Sequence, residues 1–195
     1  LIIKEDLKGK VSLLVMDYTF KHPGGSSHTT LRVPAETGKL GESVSQTIIR
    51  GLREEIAENE NDPNFRVEII EFNTVELVHD ENNIMGCHAK ISFLVRHMSG
   101  EIRKTVKADS ENSNEIHGVP FYTDLSEIFK KGYGPKLLKA HGVSIARYIT
   151  RRLDSDVDFA WRYNSLSLEF YIAVQEPTSD ELRHVIKFVG DMVRT

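Results

Sequence analysis

Apolar and β-branched residues dominate Val11 to Tyr18, as in a buried strand, and His22-Pro23-Gly24-Gly25-Ser26-Ser27 follows as turn chemistry. The chain should return through a second strand, Thr29 to Val33. Pro34 to Gly41 holds one proline and two glycines and reads as a loop. Ser43 with Gln46 three residues on then forms a capping box, and Ile48, Ile49, Leu52 and Ile56 recur at helical spacing, so a helix over 43–58 packs one face on a core. Asn59 to Asn64, with Pro63, ends it. Phe65 to His79 and Met85 to Arg96 read as two longer strands joined through Asp80-Glu81-Asn82-Asn83, with Ile91, Phe93 and Val95 alternating as on a half-buried strand. Gly100 begins a shorter strand through Val106.

Ala108 to Asn114 is a polar, acidic loop, and Thr123 or Asp124 can cap a short helix through Lys131. Gly132-Tyr133-Gly134-Pro135 breaks the chain. Beyond it Leu137, Leu138, Ile145, Ile149 and Leu153 predict a helix whose weak point is Gly142. Trp161 to Val174 reads as a strand, and Thr178 with Glu181 opens a final helix carrying Leu182, Val185, Ile186, Val189 and Val193 on one face. This order of elements predicts an α/β (α+β) fold in which helices pack on a mixed sheet in layers. With 195 residues and 39% hydrophobic content, the expectation is one core: a domain over 1–132 with a C-terminal extension, 133–195, packed on it.

The net charge of −4 gives no general attraction to duplex nucleic acid or an anionic membrane. The apolar stretch Leu13-Leu14-Val15-Met16 is far too short to span a bilayer, which takes roughly 20 residues. Leu1 to Asp6 lack the features of a secretory signal, and the missing initiator Met points to a longer protein. Cys87 is the single cysteine, so no internal disulfide is expected; it reads as a small buried hydrophobe, and the cytosol is the default compartment. His22, His28, His79, His88 and His117 lack metal-ligand spacing.

Glu54, Glu55 and Glu58 fall within a narrow arc of the helix over 43–58, at about 100° per residue. Hard oxygen ligands so placed suit Mg²⁺ or Mn²⁺; the alternative is a solvated acidic face. The segment from Pro34 to Glu58 resembles the box of the Nudix hydrolases: a glycine, five residues, Glu, seven residues, then Arg-Glu-apolar-X-Glu-Glu-X-Gly. Glu42, Arg50, Leu52, Glu54 and Glu55 fall in register with it. Glu36 stands at the first glycine, Gly51 at the first Glu of the Arg-Glu pair, and Ala57 at the last glycine.

The resemblance implies a Nudix-like α/β/α sandwich and a metal-dependent pyrophosphohydrolase that cleaves a nucleoside diphosphate linked to another moiety. It also implies metal ligands among Glu54, Glu55 and Glu58, with Mg²⁺ or Mn²⁺ as cofactor, and Glu42 with Arg50 as structural brace. Glu58 or Glu36 is the candidate replacement for the carboxylate missing at Gly51. A general base is implied beyond the central strands, at Glu111 or Glu115, and Arg32 and Lys39 are the cations placed to meet phosphate. Tyr18, Phe20, Phe121, Tyr122 and Trp161 either stack on a base or pack in the core. The alternatives are a Nudix-like nucleotide-binding or regulatory domain that has lost turnover, and an interaction domain whose C-terminal extension forms a homodimer.

Overall fold

The computed structural model describes residues 1–22, 24–79, 87–108, 114–129 and 134–163. Its first strands are β1 (Ile3–Glu5), β2 (Val11–Lys21) and β3 (Ser27–Arg32), and β2 divides the core between its two faces. Leu14 and Met16 point into a cluster with Leu52 and Ile56 of α1 (Val44–Ile56), while Leu13 and Val15 point into a second cluster with Ile145, Ile149 and Phe159. Those partners belong to α2 (Gly134–Ser155) and α3 (Val157–Tyr163), so helices cover both faces of β2. A period-2 strand meeting 3.6-period helices on each side explains the uninterrupted apolar run in its sequence.

The long hairpin is β4 (Arg66–His79) with β5 (Cys87–Ser99); the turn expected at Asp80 to Asn83 lies outside the described residues. Short strands β6 (Lys107–Ala108), β7 (Glu115–His117) and β8 (Phe121–Asp124) complete the sheets, with β1, β3, β7 and β8 all pairing with β2 and β6 with β7. Every pairing of named strands is antiparallel, and the one parallel contact, among the described residues, is the isolated bridge Ile2–Val95. The fold is therefore α+β on antiparallel sheets rather than on the mixed sheet expected: the consecutive strands β2–β3 and β4–β5 run antiparallel, and β7 and β8 return antiparallel to β2.

Several expectations need correction. The helix over 43–58 ends at Ile56: Ala57 is extended (φ −71, ψ 143) and bridges Ile102, and the Glu58 N–H donates to Glu101 O at 2.9 Å. Glu58 therefore leaves the helix before it can sit one turn beyond Glu54. Gly100 to Val106 is not a regular strand. Gly100 turns at φ +92, where a Cβ would lie 2.5 Å from Phe65 Cα, and Arg103 buries its guanidinium instead of facing a neighbouring strand. Trp161 lies in α3, not a strand: Asp156 Oδ1 accepts the Phe159 N–H at 3.0 Å, and Phe159 and Tyr163, one turn apart, are both buried. The remainder of that expected strand and the helix over 178–193 lie outside the described residues.

Other boundaries agree with the pattern. Asp124 caps a 3-10 helix, Leu125–Phe129, through its bond from the Ser126 N–H at 2.7 Å. α2 kinks at His141 (φ −139, ψ 19), beside Gly142. The described part of the C-terminal extension completes the core, since Leu137, Ile145 and Ile149 are buried in the larger cluster and the Tyr163 hydroxyl accepts the Val11 N–H at 2.7 Å. Among the described residues no helix is long and apolar enough to cross a membrane.

Ile56, fully buried at the junction of α1 and β2, should cost about 2–5 kcal/mol when cut to alanine, measured by urea unfolding. Leu40, fully exposed, should change stability by no more than about 0.5 kcal/mol on the same substitution.

Candidate functional site

The site is built on the first two turns of α1 and the loop that precedes it. Ser43 caps the helix reciprocally with Gln46: the Gln46 N–H donates to Ser43 Oγ at 3.3 Å and the Ser43 N–H to Gln46 Oε1 at 2.8 Å. That cap fixes where the helix begins and so which side chains face the loop.

Arg50 then ties loop to helix. Its Nε and Nη2 donate to the two oxygens of Glu42 at 2.7 and 3.0 Å, a bidentate pair, and Nη2 also reaches Thr37 O at 2.8 Å. Nη1 donates to Glu54 at 3.0 Å and lies 3.4 Å from Glu36 Oε2. Glu42 further accepts the Lys39 N–H and the Thr47 hydroxyl, each at 3.0 Å. Arg50 first, then the Lys39 amide, hold the Glu42 carboxyl down to about 2, and Glu42 first, then the Glu36 and Glu54 charges, raise Arg50 above its ordinary value. The brace expected of Glu42 and Arg50 has the geometry of one.

Gly51 acquires a physical reason. A Cβ there would lie 2.4 Å from Glu36 Cβ and 2.6 Å from Glu36 Cγ, so the Glu36 side chain runs across the bare face of the glycine. Glu36 and Gly51 are thus neighbours in space: the Glu36 side chain fills the room that a side chain at position 51 would need.

Four residues after Gly51 comes Glu55, buried at 8% exposure, its Oε2 accepting the Ala35 N–H at 3.0 Å. The arc read from the sequence straddles the edge of the buried face, so neighbouring carboxylates part company. Glu55 turns inward, Glu54 turns to Arg50, and Glu58, past the helix end, accepts the Lys104 N–H at 2.9 Å. Among the described residues no three His, Cys, Asp or Glu side chains form a metal-ligand group.

Glu36, Gly51 and Glu55 line a cavity of about 720 Å³ between α1, the loop and the β4–β5 hairpin. Its apolar wall includes Ile48, Leu52 and Phe93; Lys90 and Glu76 of the hairpin and His141 at the α2 kink add polar groups. Burial lowers the His141 imidazole to about 3, with Lys90 and Arg32 acting in the same direction, so the ring is neutral at physiological pH. Glu54 faces a separate recess with Arg50, Arg53 and Glu60.

Arg32 is half-buried. Its guanidinium lies 4.3 Å above the Tyr18 ring and 5.6 Å from that of Phe20, and its Nε donates to Thr30 at 3.2 Å. Burial lowers its pKa, and the nearby Glu55 charge opposes that shift. Lys39 contributes its backbone N–H to the loop brace. Glu115, in β7 opposite Phe20, is partly buried, which raises its carboxyl; Glu111 lies outside the described residues.

The residue that sequence pattern did not disclose is Arg103. Its guanidinium, 3% exposed, donates to Glu55 O at 2.5 Å, to Gly118 O at 2.6 Å and to Thr105 O, while its N–H donates to Ile56 O at 2.9 Å. Lys107 Nζ donates to Glu54 O at 2.8 Å. Together they satisfy the last carbonyls of α1 with cations. A single arginine in an irregular segment has no periodicity to announce this role.

No protein-family model matches the chain, and no curated protein does.

Glu42 has its pKa depressed on folding, so its stabilising contribution is full above the ordinary value of 4.5 and is lost as pH falls towards about 2. Acid unfolding of the native protein should therefore include a component in that window that Glu42→Gln removes, at the cost of lower stability at neutral pH; a pH series of thermal melts checks both.

Proposed function

We propose that the chain is a Nudix-like domain that hydrolyses a phosphoanhydride bond in a nucleoside diphosphate linked to another moiety, using Mg²⁺ or Mn²⁺. The observation that carries this reading is the exchange of Glu36 and Gly51. The box loses a carboxylate from the helix and regains one from the loop, on the wall of the cavity that buried Glu55 also lines. Two further features support it. The loop-to-helix register of Glu42, Arg50, Glu54 and Glu55 forms a braced unit, and helices on both faces of β2 accord with an α/β/α sandwich.

The donor chemistry fits the ion. Mg²⁺ is commonly held by one or two carboxylates together with substrate phosphate oxygens, and Glu36 and Glu55 supply two. A carboxylate has about four lone-pair positions; Glu36 accepts the Thr37 N–H and Glu55 the Ala35 N–H. When bound, the ion would neutralise phosphate charge and acidify a water. Arg32, which feels the Glu55 charge, is the cation proposed to meet phosphate. Glu115, its carboxyl raised by burial, is the described candidate for taking the proton from water, since a pKa nearer neutrality suits a general base.

A second reading is a domain that binds the same ligand without turnover. Arg50 favours it, because one guanidinium lies within 3.4 Å of Glu36 and 3.0 Å of Glu54 and competes with any cation for their oxygens.

Release of phosphate or nucleotide from a panel of dinucleotides, nucleotide sugars and nucleoside triphosphates, with Mg²⁺ or Mn²⁺, separates the two. Hydrolysis predicts metal-dependent release that Glu55→Gln reduces at least about 100-fold, in keeping with loss of a metal-binding carboxylate. Binding without release favours the second reading, and neither binding nor release overturns both.

A further inference from the structure

Strand β5 has two edges, and β4 takes one of them. Over 87–95 the residues of β5 pair with β4 in unbroken succession, and the extra residues of the two bulges, Ile70 and Asn73, fall on β4. β5 is therefore regular there. Leu1 and Ile2 lie along its other edge: the Leu1 amine donates to Phe93 O at 2.6 Å, the Val95 N–H donates to Leu1 O at 2.9 Å, and Ile2 bridges Val95 in parallel. Backbone groups of alternate residues face opposite edges of a strand, so the N–H and C=O of Ile91 and Ala89 point the same way as those of Phe93 and Val95. Among the described residues no strand pairs with Ile91 or Ala89 on that side.

This open edge lines the cavity, together with Ile48 and Leu52 of α1 and with His141 and Ser144 of α2. The two faces of β5 differ there. Phe93 packs on the α1 cluster, whereas Ser92 accepts the Asn73 side-chain amide at 2.9 Å, and that amide also donates to Ser144 O of α2 at 2.8 Å. A strand laid along the edge therefore meets apolar groups on its α1 side and polar groups on its α2 side. Unpaired N–H and C=O groups on a regular strand are a template for another strand, and strand addition combines such main-chain bonds with alternate side chains in pockets. The walls of the cavity limit what enters to a short segment: at about 3.3 Å per residue, Ala89 to Phe93 accommodates about four residues.

We propose that the edge of β5 from Ala89 to Phe93 is a seat for an extended peptide segment of about four residues, with side chains alternating between apolar and polar and a backbone that continues the line of Leu1 and Ile2. The hairpin edge carries this inference and the carboxylates of Glu36 and Glu55 do not, so it stands or falls separately from the hydrolase reading.

The probe is acetyl-Val-Thr-Val-Thr-amide, added to the whole chain without metal and followed by NMR titration and amide hydrogen exchange. Binding should slow exchange of the Ala89 and Ile91 N–H groups at least about tenfold, because both pass from an open edge into a ladder. Ile91→Pro removes one outward N–H and leaves the bonds to β4 in place, so it should weaken the peptide at least about tenfold, with a thermal melt reporting that the variant is folded. If that variant does not fold, the same peptide methylated at every backbone nitrogen decides the matter on the native protein, where it should not bind. No peptide binding, undiminished binding to folded Ile91→Pro, equal binding of the methylated peptide, or binding that leaves Ala89 and Ile91 exchanging as before overturns the seat and leaves the hydrolase reading to its own test.

Discussion

The Arg50 guanidinium is the contact on which the site depends. One side chain from the second turn of α1 holds Glu42 through both oxygens, Thr37 through its carbonyl, and Glu36 and Glu54 through Nη1. By fixing the loop against the helix it brings Glu36 across Gly51 and sets the Ala35 amide on the buried Glu55 carboxylate. Any side chain at position 51 would push Glu36 away, and with it the amide that satisfies Glu55. The absence of a side chain there is thus a condition of the packing, and the roughly 1 kcal/mol that a glycine costs inside a helix is offset by the close approach it permits.

The opposite end of α1 is held by charge of the other sign. Its final carbonyls, at Glu54, Glu55 and Ile56, meet Lys107 and the side chain and amide of Arg103. A buried guanidinium is tolerated because carbonyl oxygens surround it, including those of Thr105 and Gly118, and because the Glu55 and Glu58 charges oppose the effect of its burial. Helix α1 is in this way pinned at its start by Arg50 and at its end by Arg103, which leaves Glu55 little freedom at the cavity wall. Rigid support of this kind is what a positioned carboxylate needs.

Much of this was legible in the sequence where local chemistry decides the outcome. The Ser43–Gln46 box, the apolar stripe of α1 and the helix break beside Gly142 each depend on neighbours a few residues away, and each is found, as is the Glu42–Arg50 pair that the resemblance implies. What escaped depends on distant partners. The end of α1 is set by the Ala57–Ile102 bridge, which carries Glu58 out of helical register, and a residue at 102 leaves no mark on residues 54 to 58. The Gly100 to Val106 segment reads as a short strand, but Arg103 finds its partners on α1 and near β7 instead. Trp161 to Val174 reads as a strand, whereas at Trp161 Asp156 and the one-turn spacing of Phe159 and Tyr163 carry the helical signal. Glu36 and Gly51 could each be seen as departures from the box; that they occupy one place could be seen only in space.

We propose that the carboxylate of Glu36 takes the place of one on the helix at position 51. Mn²⁺ affinity, titrated by electron paramagnetic resonance, tests it in the native protein, in Glu36→Gly, and in the double variant Glu36→Gly with Gly51→Glu. Binding should weaken in Glu36→Gly and recover in the double variant, because removing the Glu36 side chain opens the space that a glutamate at 51 requires. Equal Mn²⁺ affinity in the native protein and Glu36→Gly would contradict it.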